Sequence, residues 1–211
     1  HKSIIQEKEH IIMMKKPQEQ DPLAWEEVSC EHLIRDEWID FRRSAYLFPN
    51  GNIFEPYYSY SRKDYVVVVA SDSNGDYICV RQFRHGIKEV TTEFPAGGID
   101  IRDTEEYRTS ANISQEVAFL AAKRELLEET GYESDEWEFL LKVPSAATIC
   151  DNYGYLYMAK NCRKVSKQNL DETEFVEVTT LSFDQIEDLI KKGKFQQAVH
   201  ITAWLLAQKN T

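Results

Sequence analysis

No run in this 211-residue sequence approaches the length of apolar chain, about eighteen residues, that a membrane-spanning helix needs. The first residues, His1-Lys2-Ser3-Ile4-Ile5, lack a charged region followed by an apolar run and a small-residue cleavage site, so no secretory leader is expected in them. Cysteine is scarce and scattered. Cys30, Cys79, Cys150 and Cys162 show no C-x-x-C spacing. A disulfide framework would be dense and its protein small, so reduced thiols, buried or partly buried, and a cytoplasmic setting are expected. The five histidines show no metal-ligand spacing, and a structural role is the default for each. No internal repeat stands out. Positive charge is also in deficit: 25 Lys and Arg face 36 Asp and Glu, a net charge of -11. Such a surface repels a polyphosphate backbone, which counts against nucleic acid as a partner. It leaves room for a small anionic substrate, provided that carboxylates gather round a divalent cation that neutralises it.

The elements that are present point to an α+β chain. Residues 4–13 have apolar pairs at a spacing that suits a short amphipathic helix. The polar stretch from Lys15 to Pro22 reads as a loosely attached arm. Two aromatic-rich strands are expected at Glu37 to Phe48 and Ile53 to Ser61, across a Pro49-Asn50-Gly51 turn. Tyr65-Val66-Val67-Val68-Val69-Ala70 reads as a central buried strand, and Asn74-Gly75 as a tight turn into Tyr77–Phe83. A helix rich in Ala, Leu, Glu, Lys and Arg is expected from Ser114, a suitable N-cap, to Thr130, with Gly131 closing it. Further strands are expected at Trp137 to Val143, Gly154 to Ala159 and Phe175 to Leu181. Helices are expected at Ser182 to Lys192 and at Phe195 to Lys209, the latter with Ala198, Ile201, Trp204 and Leu205 on one face. Strands, one helix, more strands and then helices suggest an α+β or αβα layered domain.

The chemistry concentrates in Arg124-Glu125-Leu126-Leu127-Glu128-Glu129-Thr130-Gly131-Tyr132. On a helix Glu125, Glu128 and Glu129 stand at i, i+3 and i+4 and share a face. Three carboxylates this close repel one another, and a hard divalent cation with a preference for oxygen ligands reverses the sign of that energy. Arg124 can pair with Glu128 one turn on and hold part of the cluster. Taken by itself, such spacing is more often a solvated acidic helix face.

The wider pattern decides between these readings. Arg-Glu-apolar-x-Glu-Glu-x-Gly-apolar resembles the second half of the Nudix box. Glu116 stands eight residues before Arg124, where that family has a further glutamate. Glu93-Phe94-Pro95-Ala96-Gly97-Gly98 matches the family's upstream E-x-P-A-G segment. The family places its first glutamate six residues after the box glycine, whereas Gly97 and Glu116 are nineteen apart. The difference reads as a polar loop inserted at about 101–113, tolerated because loop-closure entropy grows slowly with length.

Val80-Arg81-Gln82-Phe83-Arg84 resembles the V-x-Q-x-R segment of the ADP-ribose pyrophosphatase branch, and Asn169–Phe175 its acidic loop. The resemblance implies a Nudix αβα sandwich with a mixed sheet over 63–211, and an N-terminal arm with antiparallel strands over 1–62 that pairs two subunits in a homodimer. It implies Mg²⁺, with Mn²⁺ as a substitute, held by Glu125, Glu129, Glu128, Glu116 and the carbonyl of Ala96. It implies Arg84 and Glu93 in the substrate pocket and Glu172 or Glu174 as the base. Phe41 or Tyr46 are candidates to stack on the nucleobase across the dimer, though aromatic rings in such strands more often serve sheet packing. The activity implied is hydrolysis of the pyrophosphate bond of a nucleotide sugar, ADP-ribose first. The stretch Pro144–Asn152 lacks the Pro-Gly pair common in that branch, which leaves GDP-mannose, ADP-glucose and other nucleotide sugars open. Two further readings stay open. One is a Nudix hydrolase for nucleoside triphosphates or dinucleoside polyphosphates. The other is a non-catalytic nucleotide-sugar sensor, from which loss of some box carboxylates would be expected.

Overall fold

A computed structural model describes residues 21–100, 103 and 113–209. The helix expected at residues 4–13, most of the arm and most of the 101–113 insertion lie outside the described residues. Eleven strands and three helices are described: β1 (Glu26–Arg35), β2 (Asp40–Leu47), β3 (Ile53–Ser61), β4 (Tyr65–Asp72), β5 (Tyr77–Arg84), β6 (Glu89–Glu93), β7 (Ala96–Gly98), α1 (Gln115–Thr130), β8 (Tyr132–Glu133), β9 (Glu136–Pro144), β10 (Tyr153–Lys164), β11 (Glu177–Leu181), α2 (Phe183–Lys191) and α3 (Ala198–Lys209).

β4 is the axis of the larger sheet, which runs β11-β5-β4-β10-β8, with β6 beside β5, β7 beside β4 and β9 beside β10. β10 pairs with β4 in parallel, and β5 and β7 pair with it antiparallel, so the sheet is mixed. Successive side chains of a strand point to opposite faces. Val66, Val68 and Ala70 therefore enter one core with Ala118, Ala121 and Leu126 of α1. Val67 and Val69 enter another with Ile186 of α2 and Trp204 of α3. Because both faces of β4 are covered, its sequence is a continuous apolar run rather than an alternating one. The fold is an α+β sandwich with helices on both sides of a mixed sheet.

β1, β2 and β3 form a separate antiparallel sheet. β1 lies ahead of the first strand expected. All ten of its residues are exposed, so it carries no burial-driven alternation to read. α3 begins at Ala198 rather than Phe195, and its buried stripe is His200, Ala203, Trp204 and Ala207, while Leu205 is exposed. The i, i+3, i+4, i+7 spacing thus includes a histidine that apolar counting passes over.

α1 follows its expected boundaries. The Ser114 hydroxyl accepts from the Val117 N–H, and Gly131 adopts φ 75° while its N–H donates to the Leu127 carbonyl. That left-handed conformation suits glycine. Any side chain at this position would also overlap the Ser166 carbonyl. The short β7 segment lies against the C-terminal half of this helix, at Arg124, Glu125 and Glu129, and the functional groups meet there.

Candidate active site

Arg124 fastens α1 to β7. Its Nη2 donates to the Gly98 carbonyl (2.9 Å), its Nη1 to Glu125 (2.7 Å) and Glu128 (3.0 Å), and its Nε and Nη2 to the two Asp103 oxygens (2.7 and 3.0 Å). Glu129 accepts from the Ala96 N–H at 2.9 Å. Gly97 lies against the Glu125 carboxylate so closely that a Cβ there would overlap it. One helix face and one strand backbone are thereby pressed together around two buried carboxylates.

Those carboxylates are costly to ionise. Burial raises Glu125 to about 7; Arg124 opposes the shift, and Glu128 and Glu174 add to it. Burial raises Glu129 to about 8, with the Ala96 N–H and Arg84 opposing and Glu125 and Glu174 adding. Desolvation and like charge act in the same direction. A set of hard oxygen donors so short of positive charge fits a divalent cation. Among the described residues, no three His, Cys, Asp or Glu side chains already surround a common point that would hold a metal. Arg124 occupies Glu125 and Glu128, and the Ala96 N–H occupies Glu129.

Glu116 is not brought to this cluster. It is exposed in the first turn of α1 and lines a different hollow, with Phe119, Trp137 and Phe139. Nine residues at roughly 100° each place it about half a turn round the helix from Glu125. Asp103, which the sequence reading did not single out, accepts from Arg124. It is buried, and it lies six positions after Gly97, the family's spacing from glycine to acid. The insertion therefore falls after this acid rather than before it. Counting from the glycine instead of back from the arginine would have found Asp103.

A cleft of about 530 Å³ opens beside the cluster. Glu125, Glu174, Asp171 and Ala96 line it, as do the cations Arg62, Lys63 and Arg84. The size is that of a small-ligand pocket. Glu174 accepts from the Asp171 N–H at 3.0 Å; Glu172 is exposed and does not line the cleft. Glu93, expected to meet substrate, is 0% exposed and absent from the cleft wall. It holds Arg84 instead, with Arg84 Nε at 2.9 Å and Nη2 at 2.5 Å. Burial would raise the Glu93 carboxyl, but Arg84, His200 and Thr91 hold it below the ordinary value.

The expected base-stacking rings are elsewhere in the chain. Phe41 stacks on Tyr58 with centroids 5.7 Å apart, and Tyr46 packs edge-on against Trp25 and Tyr57; both belong to the three-stranded sheet. The aromatic groups that do reach the cleft are Trp38, 70% exposed in the β1–β2 connection, Tyr60 and Tyr65. No motif marks Trp38, because tertiary packing alone carries that connection to the cleft. No helix among the described residues is long and apolar enough to cross a membrane.

The description of the NUDIX domain matches residues 61–205. A methanol dehydrogenase activator of Bacillus methanolicus is 29% identical over 139 residues, covering 65% of this chain and 68% of that protein. An ADP-ribose pyrophosphatase of Mycobacterium tuberculosis is 28% identical over 152 residues, covering 71% of this chain and 66% of that one. A second ADP-ribose pyrophosphatase, of Bacillus subtilis, is 28% identical over 134 residues, covering 63% and 65%. The matched stretch thus spans about two thirds of each relative, slightly less for the two pyrophosphatases. The crystal structure of an ADP compounds hydrolase superposes with a TM-score of 0.72 over 93% of this chain and 96% of the other, at 21% identity, which establishes likeness of fold. With the family description covering most of the chain, this chain belongs to the NUDIX domain family.

Proposed function

We propose that this Nudix hydrolase cleaves the pyrophosphate bond of a nucleoside diphosphate sugar, ADP-ribose before others, to a nucleoside monophosphate and a sugar phosphate. The observation that carries this reading is the meeting of Arg62, Lys63 and Arg84 with Glu125 and Glu174 in one cleft. A diphosphate needs cationic groups to bind it and carboxylates to hold a divalent cation and move a proton. Two of the relatives compared are ADP-ribose pyrophosphatases, which supports the choice of substrate.

Glu125, Glu128 and Glu129, with the Ala96 carbonyl, would hold Mg²⁺ or Mn²⁺. When bound, a divalent cation neutralises diphosphate charge and acidifies water. The rest falls to the chain itself. Arg84, fixed by Glu93, binds a phosphate oxygen. Glu174, rather than Glu172, takes a proton at its carboxylate, because it is the one that lines the cleft. Trp38 offers its ring to the base from the same chain, whereas Phe41 or Tyr46 would have to come from a paired copy. Asp103 replaces Glu116 in the box by holding Arg124.

The same reading divides the chain at 62 and 63 into an N-terminal part and a hydrolase domain, with the N-terminal part pairing two copies. Ile34, Ile53 and Phe54 of the three-stranded sheet are each more than half exposed, and burying such apolar area favours association. Light scattering should give the mass of two chains; the mass of one chain at micromolar concentration would remove the dimer. A cytoplasmic setting is supported by four free cysteines, and the absence of a nucleic-acid partner by the net charge.

Phosphate release, coupled to a phosphatase, tests the activity. The panel is ADP-ribose, ADP-glucose, GDP-mannose, UDP-glucose, NADH and dATP, each with Mg²⁺ and with EDTA. Turnover should be strongest on ADP-ribose or another nucleotide sugar and should vanish with EDTA. Preference for dATP, or no turnover on any compound, would refute the reading.

A further inference from the structure

Glu93 is a buried carboxylate with every oxygen engaged. Oε1 accepts from Arg84 Nε (2.9 Å) and the Thr91 hydroxyl, and Oε2 from Arg84 Nη2 (2.5 Å) and Gln197 Nε2 (3.0 Å). His200 Nε2 stands 3.7 Å from Oε2. Gln197, the residue just before α3, and His200, in its first turn, lie far in sequence from β5 and β6. Burial holds His200 down to about 4, so the ring is neutral near pH 7. Its Nδ1 accepts from the Phe94 N–H at 3.2 Å, which leaves the ring proton on Nε2, on the Glu93 side.

We propose that Gln197 and His200 are positioning residues for the reaction: they fix Glu93, and through it the Arg84 guanidinium, at the carboxylate cluster. Arg84 has only Glu93 among the described residues as an ion-pair partner, and its side chain is 34% exposed at the cleft. A guanidinium on a partly exposed side chain samples several rotamers unless its fork is clamped. The clamp itself must be rigid, and a carboxylate held from one side only would swing with its arginine. Thr91 holds Oε1, and Gln197 and His200 stand at Oε2 to supply the other side. His200 also grips the backbone at Phe94, two residues before the Ala96 N–H that binds Glu129. The start of α3 therefore braces both the cationic arm and the β7 backbone of the cleft. This inference rests on the proposed function for its kinetic part and on geometry alone for the rest.

The test is Gln197→Met, which keeps the volume and removes the donor, with Gln197→Ala as a second variant should the first fail to fold. In the ligand-free protein the Arg84 Nε–H resonance should be sharp in the wild type and should broaden or shift in the variant, with the melting temperature within about 2 °C. With a nucleotide sugar, KM should rise about three- to tenfold while kcat stays within about twofold. In an Arg84→Ala background the same substitution should change KM less than about twofold, because nothing remains to be positioned. An unaltered Arg84 resonance, or an undiminished kinetic effect in the Arg84→Ala background, would overturn the proposal. If no nucleotide is turned over, the proposed function fails, and the resonance still decides whether Gln197 positions Arg84.

Discussion

Glu129→Gln should lower turnover by at least about a thousandfold while the protein stays folded. The side chain is nearly isosteric, and the Ala96 N–H that now donates to Glu129 Oε2 can donate to the amide oxygen instead. What disappears is a charge, and charge is what a divalent cation requires of this position. The same substitution should be visible in the pH dependence of metal-free stability. Glu129 has its carboxyl raised from 4.5 to about 8, and Glu125 from 4.5 to about 7. A carboxyl whose pKa is higher in the folded state than in the unfolded state favours folding while it is protonated. That contribution is complete below about 4.5 and is lost as pH climbs through about 7 to 8. Metal-free wild type should therefore melt at a lower temperature at pH 8.5 than at pH 5.5, and Mg²⁺ should restore much of the difference at the higher pH. Glu129→Gln is neutral throughout, so its melting temperature should fall less over this range. Wild-type turnover in the variant, or an unchanged pH slope, would show that Glu129 holds no metal and bears no buried charge.

Gly97→Ala should be nearly as damaging to activity with little loss of stability. The added Cβ would overlap the carboxylate of Glu125, the far end of a flexible side chain. Such a side chain can rotate aside at modest cost, so the fold survives. Its carboxylate then leaves the place between Gly97 and Arg124 where the cation would meet it, and displacements of about 1 Å at such sites cost about a hundredfold in rate. Activity on the preferred nucleotide sugar should fall about a hundredfold, with the melting temperature within about 3 °C. A variant that unfolds, or one that keeps full activity, would contradict this account of the close approach. Gly131→Ala should behave differently: there the added atom meets a backbone carbonyl, and φ 75° penalises any side chain.

Some of this was legible without the fold because it is local. The buried run Val66–Ala70, the cap at Ser114, the stop at Gly131 and the Glu125-Glu128-Glu129 face depend on neighbours within one or two turns or along one strand. Periodicity and capping chemistry record such relations directly in residue order. The pairing of Arg124 with Glu128 is also a one-turn relation, and it forms at 3.0 Å.

The rest depends on groups that meet from far apart in the chain. Glu116 was in register with Arg124 by count but sits on the wrong side of the helix, and Asp103, 21 residues from Arg124, takes up the guanidinium instead. Glu93 lies within a recognisable motif, yet only burial reveals that it clamps Arg84 rather than facing a ligand. Glu174 could not be separated from Glu172 until one of them reached the cleft, and Trp38 belongs to no motif at all. By itself the sequence determined the family, the central strand and the carboxylate-bearing helix, all of which rest on spacing along the chain. Only the tertiary structure decided which carboxylates are buried, which arginine is braced and which aromatic ring stands at the cleft. Desolvation and long-range hydrogen bonds exist only once distant segments are packed together.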